Sequence, residues 1–407
     1  MITTRTIKPE QLTHSQICDW KWMLRSNPSL GSPFFRPEFT LAVGRTRSDV
    51  RVIIAETRGV PVAFLPFQLA SNGEHVAVGA ALNDFQGVVS TAEAGYSVDE
   101  LLRHAGIRRM FCPKIVDGQQ RFDSFVIGES VSPYVDLTNG YGQWENDLKR
   151  RGVRLLKRLA RKERKLIRDY GAVHFAYHIA SPDVLLKLIG WKRSQYRRTN
   201  ENDTFAAIWS NELLHGLLTV PRESELQPVL SAMYAGKTLV AAHYCLAAPG
   251  VCHSWVAAYN REYSRYSPGK LLLRRLLYEI PERHINRFDF GAGDEAYKYN
   301  FANNAVSVRR VIVDRNPIRR WLRSNSYLAR MAVKDSALGP GIRSVRDRLR
   351  QVTCKLRPAQ NSFIDDFLES IAVAASGASR PQVADRQTEL TESPTQIQVN
   401  ASTPTSD

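Results

Sequence analysis

Ser267, Pro268, Gly269 and Lys270 stand between an alternating, aromatic-rich run (VCHSWVAAYN, 251–260) and an apolar helical run (LLLRRLLYEI, 271–280). A strand, a short turn and a helix mouth in that order can make an anion site. The first N–H groups of a helix have no intrahelical acceptor, and the helix dipole adds partial positive charge there. Gly269 lets a large anion come close to the backbone. Pro268 fixes one dihedral and gives up a donor the helix does not need at that point. Ser267 can cap the helix or bind, and Lys270 adds charge beside the amides. A pyrophosphate fits this turn. So does an ordinary capped helix, and the turn alone leaves both readings open.

A second set of residues could handle protons. Asp289, in FDFG, ends a predicted strand, and alternation puts it on the face opposite Phe288 and Phe290. It could act as a base, orient an acceptor, or simply pair with an arginine. Tyr297 and Lys298 follow in a short predicted helix, DEAYKYNFA. Asp84 and Gln86, in NDFQG, are polar groups between the apolar VAVGAAL and VV, which suggests an acceptor-binding loop or a plain turn. His243 and His253 fall on neighbouring predicted strands. His253 is placed beside the acceptor, with a base role weighed against a satisfied interior histidine. Trp255, Tyr259 and Tyr263 read as core or cleft wall. There is no metal motif, no G-x-S-x-G elbow and no P-loop.

These residues need elements to hold them. From 222 to 314 the pattern reads β-β-β-α-β-α-β, with strands in ELQPVLSAMYAGK, KTLVAAHYCLAAPG and VCHSWVAAYN before the helix at 268, then RFDFGAG, a short helix and VSVRRVIVD. The first 140 residues read as mixed α and β. EQLTHSQICDWKWMLRS suggests an opening helix and SPFFRPEFTLAVGRT a second one. VRVIIAETRG and VPVAFLPFQLA form a hairpin, EHVAVGAAL suggests a third strand, and RFDSFVIGESVSPYVDL a closing strand and turn. GQWENDLKRRGVRLLKRLARKERKLIRDYG reads as one long helix stopped by Gly171, then AVHFAYHIA as a strand and SPDVLLKLIGWKRSQYRRT as a capped helix. The expected parts are therefore an N-terminal half (1–140), a basic helical segment (141–200), a catalytic core (201–315), a basic helical extension (316–374) and a tail (375–407). The tail is rich in Ser, Thr, Pro and Gln, too polar to offset its ordering entropy, and reads as disordered.

Composition sets the outer bounds. The chain has 407 residues, 43% hydrophobic and 24% charged, as in a globular protein of two or three domains. No run of eighteen apolar residues occurs, and the first residues lack an apolar h-region, which points to a cytoplasmic protein without a secretory signal. The five cysteines are scattered and read as reduced, buried thiols. The net charge of +16 is concentrated. Residues 149–168 carry eleven basic side chains and one acid, and residues 315–357 carry twelve and two. Such segments are solvated faces, or they lie on an anionic membrane at its inner face. They lack the interleaved aromatics that base stacking would need, which argues against nucleic acid.

The stretches SWVAAYNREYSRYSPGKLLL (254–273) and FDFGAGDEAYKYNFA (288–302) resemble the GNAT acyltransferase superfamily, and within it the cellulose and exopolysaccharide branch (CelD/BcsL-like). PFFRPEFTLAV, FLPFQ and NDFQG resemble the same branch, so the likeness runs over roughly residues 30 to 315. The resemblance implies an α+β fold of tandem GNAT-like halves, each a mostly antiparallel sheet flanked by helices, as in the peptidoglycan-bridge aminoacyl transferases. It also implies acetyl-CoA or another acyl-CoA as co-substrate, with no metal. Tyr266, Ser267, Pro268, Gly269, Lys270, Leu271 and Trp255 would bind that co-substrate. Asp289, Tyr297 and Lys298 would carry catalysis, with Tyr297 as acid to the leaving thiolate. Asp84, Gln86 and His253 would bind the acceptor. The first half lacks a comparable turn, so one acyl-CoA per chain is expected.

The implied reaction is acyl transfer, most simply acetyl, to an amino sugar or sugar precursor of a surface polysaccharide. Two alternatives stand beside it: a Fem-type transfer from aminoacyl-tRNA, and a non-catalytic scaffold of a membrane-bound polysaccharide synthase.

Overall fold

A computed structural model describes residues 2–335 apart from 71, 72, 92, 93 and 294. The expected tail, and the basic extension beyond 335, lie outside the described residues. The first half runs β1 (Thr3–Ile7), α1 (His14–Ser26), α2 (Pro37–Thr46), β2 (Arg51–Thr57), β3 (Val60–Leu69), β4 (His75–Ala77), β5 (Val89–Ser90), α3 (Val98–His104), β6 (Arg109–Val116) and β7 (Val126–Asp136). Two helices, α4 (Gly140–Arg150) and α5 (Leu155–Tyr170), lead into the second half. That half runs β8 (Val173–Ala176), α6 (Pro182–Thr199), α7 (Ile208–Leu217), β9 (Gln227–Ala235), β10 (Thr238–Ala248), β11 (Val251–Tyr259), α8 (Pro268–Glu279), β12 (Arg287–Asp289), α9 (Ala296–Phe301) and β13 (Asn304–Asp314). A last helix, α10, spans Pro317–Asp335.

All strands belong to one mixed sheet in the order β1-β2-β3-β4-β6-β13-β7-β12-β11-β10-β9-β8, with β5 on the side of β3. The order is a palindrome of two equivalent halves. Apart from the short β5 in the first and α9 in the second, an edge strand in each is followed by two helices, three strands, a helix and two more strands. In each, one neighbouring pair is parallel: β4 with β6, and β11 with β12. The halves also exchange their last strands. β13 pairs antiparallel with β6 of the first half, β7 pairs antiparallel with β12 of the second, and β7 and β13 pair with each other along the centre.

Two layers of helices bury the two faces. One apolar cluster spans both halves and is built from α1, α2, α6 and α7 over residues such as Trp20, Phe39, Leu185, Leu214 and Tyr244. On the other face α4, α5 and α8 cover the second half, through Trp144, Leu159, Leu272 and Phe288, while α3 covers the first.

Several local expectations change. The long basic helix is two helices, because Gly152 takes φ +69° between α4 and α5. Gly171 (φ +84°) does end α5. EHVAVGAAL forms only the three-residue β4, after which Gly79 turns at φ +81°. The sequence reading missed β1, α3, β6 and α7. Each is short or has an apolar pattern too brief to show a period.

Candidate active site

β11 and β12 run parallel only from Val251 opposite Arg287 to His253 opposite Asp289. Beyond those residues β11 continues to Tyr259 while the chain after Asp289 turns away, so the strands part and β11 keeps an unpaired edge from Ser254 onward. The vertex of this split lies at His253 and Asp289.

On one face of the split stands the Ser267 turn. Ser267 takes a left-handed conformation (φ +54°, ψ +52°) and opens α8, whose first turn holds Pro268, Gly269 and Lys270 and no acid. A Cβ on Gly269 would meet only Tyr259 Cδ1, at 3.4 Å, so the fold itself does not demand glycine there and the space above the backbone is open. Leu271 and Tyr266 are buried and hold the turn from below. The Tyr266 hydroxyl donates to Asp169 Oδ2 at 2.5 Å. The basic α5 packs alongside. Lys162 Nζ donates to Ser267 Oγ at 2.6 Å. Burial, then the nearby cations Lys270, Arg158 and Arg161, push the Lys162 ammonium below its ordinary range. Glu163, the one acid of the basic run, bridges Arg274 and Arg275 and so fastens α5 to α8. The basic segment thus brings Lys162 onto the Ser267 turn. Nothing in its sequence spacing showed that.

The equivalent turn in the first half carries opposite charge. Tyr96-Ser97-Val-Asp-Glu-Leu-Leu matches Tyr266-Ser267-Pro-Gly-Lys-Leu-Leu; Ser97 caps α3 by accepting from the Glu100 N–H, whereas Ser267 stands at the start of α8 without a side-chain cap bond. Asp99 and Glu100 stand where Gly269 and Lys270 stand in the second half, so the first turn of α3 repels an anion.

The other face of the split carries a polar cluster where the halves meet. His253, fully buried, pairs through Nε2 with Asp84 Oδ2 at 3.0 Å. Lys114, from β6, pairs with the other Asp84 oxygen. Burial alone would raise the Asp84 carboxyl, but the Lys114 ammonium and the His253 N–H together hold it well below the usual carboxylate range. An ionised Asp84 can only accept, so a neutral imidazole in this contact would carry its proton on Nε2 and a lone pair on Nδ1. That Nδ1 is buried and finds no hydrogen-bond partner among the described residues. Phe34 and Phe85 pack edge-on against the ring, at 4.8 and 5.4 Å between centroids. Gly291 (φ +69°) passes directly over the pair, and a Cβ there would lie 2.7 Å from Asp84 Oδ2.

The remaining candidates fall around this pair. Asp289 is 1% exposed and accepts from Arg287 Nε at 2.8 Å. Its carboxyl is raised by burial, against the pull of Arg287 and His253. The structure thus gives Asp289 the arginine pairing, one of the three readings that its sequence position left open. Lys298 ion-pairs with Glu295 at 2.9 Å and reaches the carbonyls of Gly291 and Ala292, so it braces the turn over the pair. Tyr297 packs on Phe290 on the α8 face, and burial, then Glu295, pushes its hydroxyl up to about 12, so it stays protonated. Gln86 is buried and its backbone locks the Asp84 loop to β6 (Gln86 N to Lys114 O, 2.9 Å). Trp255 is corrected. Its indole lies on the face away from α8, stacks on Tyr244 and donates to Leu82 O at 2.8 Å, so it ties β11 to the first half and does not line the Ser267 turn. His243, on the neighbouring strand, bonds Ser254 Oγ at 2.8 Å; burial, then Lys192 and His253, lowers it to about 3.

Residues 153–299 match the acetyltransferase (GNAT) domain family. The matched stretch holds the α8 turn, the split strands and His253. FemX, 8% identical, has a similar fold over 79% of this chain and 100% of its own, with a TM-score of 0.53. A conserved protein of unknown function from Bacteroides thetaiotaomicron VPI-5482, also 8% identical, does so over 77% of this chain and 100% of its own, at 0.50. A tandem GNAT protein from the clavulanic acid biosynthesis pathway, 9% identical, covers 77% and 99%, at 0.42. No curated protein matches the chain. The fold is therefore tandem and GNAT-like, and the family match falls in its second half. Among the described residues no group of His, Cys, Asp and Glu is arranged to hold a metal, and no helix is long and apolar enough to cross a membrane.

Proposed function

We propose that the protein transfers an acyl group from acyl-CoA to an amine, with the co-substrate on the α8 face and the acceptor on the face where the two halves meet. The observation that carries this reading is the pairing of an open turn bearing Lys270 and Lys162 with a buried His253 Nδ1, without a hydrogen-bond partner among the described residues, across one strand split. The backbone amides of α8, with Lys270 and Lys162, would hold the pyrophosphate, and the unpaired edge of β11 would bond the pantetheine arm. The thioester would then lie at the vertex. His253 Nδ1 would take a proton from the acceptor amine as its nitrogen attacks the thioester carbon. The carbon–sulfur bond breaks and Tyr297, protonated at neutral pH, would return a proton to the thiolate. Asp84 fixes the imidazole tautomer, Lys114 keeps Asp84 charged, and burial keeps water from competing at Nδ1.

The acceptor class we carry forward is an amino sugar or sugar precursor of a surface polysaccharide. Its support is the resemblance of residues 254–273 and 288–302 to that branch. The likeness to FemX favours aminoacyl transfer as a second reading. The test is single-turnover release of CoA thiol from acetyl-CoA and longer acyl-CoAs against a panel of amino sugars, for the parent and His253→Gln. We expect release only with an acceptor present, and a loss of about a hundredfold or more in the variant. Equal rates would remove His253 from the mechanism. Tight CoA binding without release would favour a scaffold, and turnover only with charged tRNA would favour the second reading.

A further inference from the structure

α10 is amphipathic with its faces reversed. A surface helix ordinarily turns its apolar stripe to the body and its charges to water. Here Arg320, Arg323 and Tyr327 face the body. Arg323 pairs with Asp314 at 3.2 Å and with Glu74, Arg320 lies over the Phe125 ring, and Tyr327 packs on Phe111 beneath Arg310. The outward stripe is Ile318, Trp321, Leu322 and Leu328, exposed by 70, 65, 49 and 45%. Their spacing of three, four and ten residues from Ile318 puts them on one side of the helix. Arg108, Arg109, Arg315 and Arg319 line a groove at the start of the same helix with Asp314 and Asn316. The Asp314 carboxylate is already taken by Arg323 and by the Asn316 N–H, and none of the four arginines has an acidic partner among the described residues.

We propose that this end of the molecule docks on an anionic bilayer surface, with Ile318, Trp321 and Leu322 in the interface and the four arginines on lipid phosphates. An interfacial helix needs an apolar row containing Trp or Leu beside basic side chains, and α10 has both. Four side chains in a row fall short of the roughly 1,000 Å² that a stable protein interface buries. A protein partner would also need acids placed in register with the groove, whereas a bilayer supplies phosphates without register. This surface lies at the first half's edge of the shared sheet centre, on β6 and β13, and shares no residue with the α8 turn or the Asp84–His253 pair.

The test is flotation of the full chain with vesicles of phosphatidylcholine alone and of phosphatidylcholine with phosphatidylglycerol. We expect flotation with the anionic vesicles only, weakening as salt is added. Trp321→Glu should abolish it. Arg108→Ala with Arg109→Ala should weaken it by about fivefold per arginine, the equivalent of ~1 kcal/mol each. Acyl-CoA binding and melting temperature in all variants should match the parent, and Ile318→Glu stands in if Trp321→Glu does not fold. Failure to float with either vesicle would overturn the proposal. So would flotation of Trp321→Glu equal to the parent. A dimer that Trp321→Glu dissociates would assign the stripe to a second copy instead.

Discussion

Asp84→Asn isolates the link between the two halves, because it keeps the shape of the side chain and removes its charge. Asp84 accepts on both oxygens, from Lys114 on one and from His253 Nε2 at 3.0 Å on the other. An asparagine has one acceptor oxygen and one NH2. The oxygen will stay with the ammonium, whose charge makes the stronger bond. The NH2 then faces Nε2, and two donors cannot share that contact, so the imidazole moves its proton to Nδ1. The lone pair assigned to the acceptor is lost. General base catalysis is worth about 10²–10⁴-fold, so kcat should fall within that range. Stability should fall by only ~1–3 kcal/mol, the cost of one imperfectly paired buried group, and toward the low end because the Asp84 and Lys114 side chains keep 21% and 25% exposure. Affinity for CoA should not change, since the pyrophosphate turn shares no residue with the pair. The assay is single-turnover thiol release beside isothermal titration with CoA. An unchanged rate with unchanged CoA affinity would refute the tautomer argument. Loss of both together would show that Asp84 holds the fold and not the proton.

Gly269→Glu should abolish CoA binding in titration while the melting temperature holds, because only the Tyr259 ring edge lies near the new Cβ. Lys162→Met should weaken CoA binding by about tenfold or more, as expected for one charge-assisted hydrogen bond, and should leave the fold intact. His243 is held at about 3 in the folded chain against 6.5 unfolded, so the unfolded state binds the extra proton between those values. Stability from this group is complete above pH 6.5 and is lost as pH falls, by about 2 kcal/mol at pH 5. Denaturant melts of parent and His243→Gln at pH 5 and 7 check this, and the variant should lose less on acidification. Residues 1–140 expressed alone should not fold cooperatively by circular dichroism, because β6 and β7 would each lack the antiparallel partners that β13 and β12 supply.

The sequence by itself determined what local chemistry can determine. The β-β-β-α-β-α-β order of the second half, the strand-turn-helix at Ser267–Lys270 and the face of Asp289 all follow from period, turn residues and alternation within a few residues. The charge reversal at Asp99 and Glu100 was also written there, in the matching Tyr-Ser-x-x-x-Leu-Leu runs, but it has meaning only once both runs are known to open equivalent helices. Only the tertiary structure decided the rest. Asp84 and His253 are 169 positions apart, and no spacing rule joins them; they meet because the halves exchange strands and share one apolar layer. Arg287 takes Asp289 because residues two apart on a strand share a face, and burial of the carboxylate then requires a counter-charge. Lys162 reaches Ser267 because α5 folds back on α8, which composition registers only as a basic run. Likewise, the helical period of 317–335 gives an amphipathic helix, but which face meets the body depends on where Asp314, Glu74 and Phe111 lie. Local propensity fixes an element and its two faces; which face is buried is a property of the long-range packing alone.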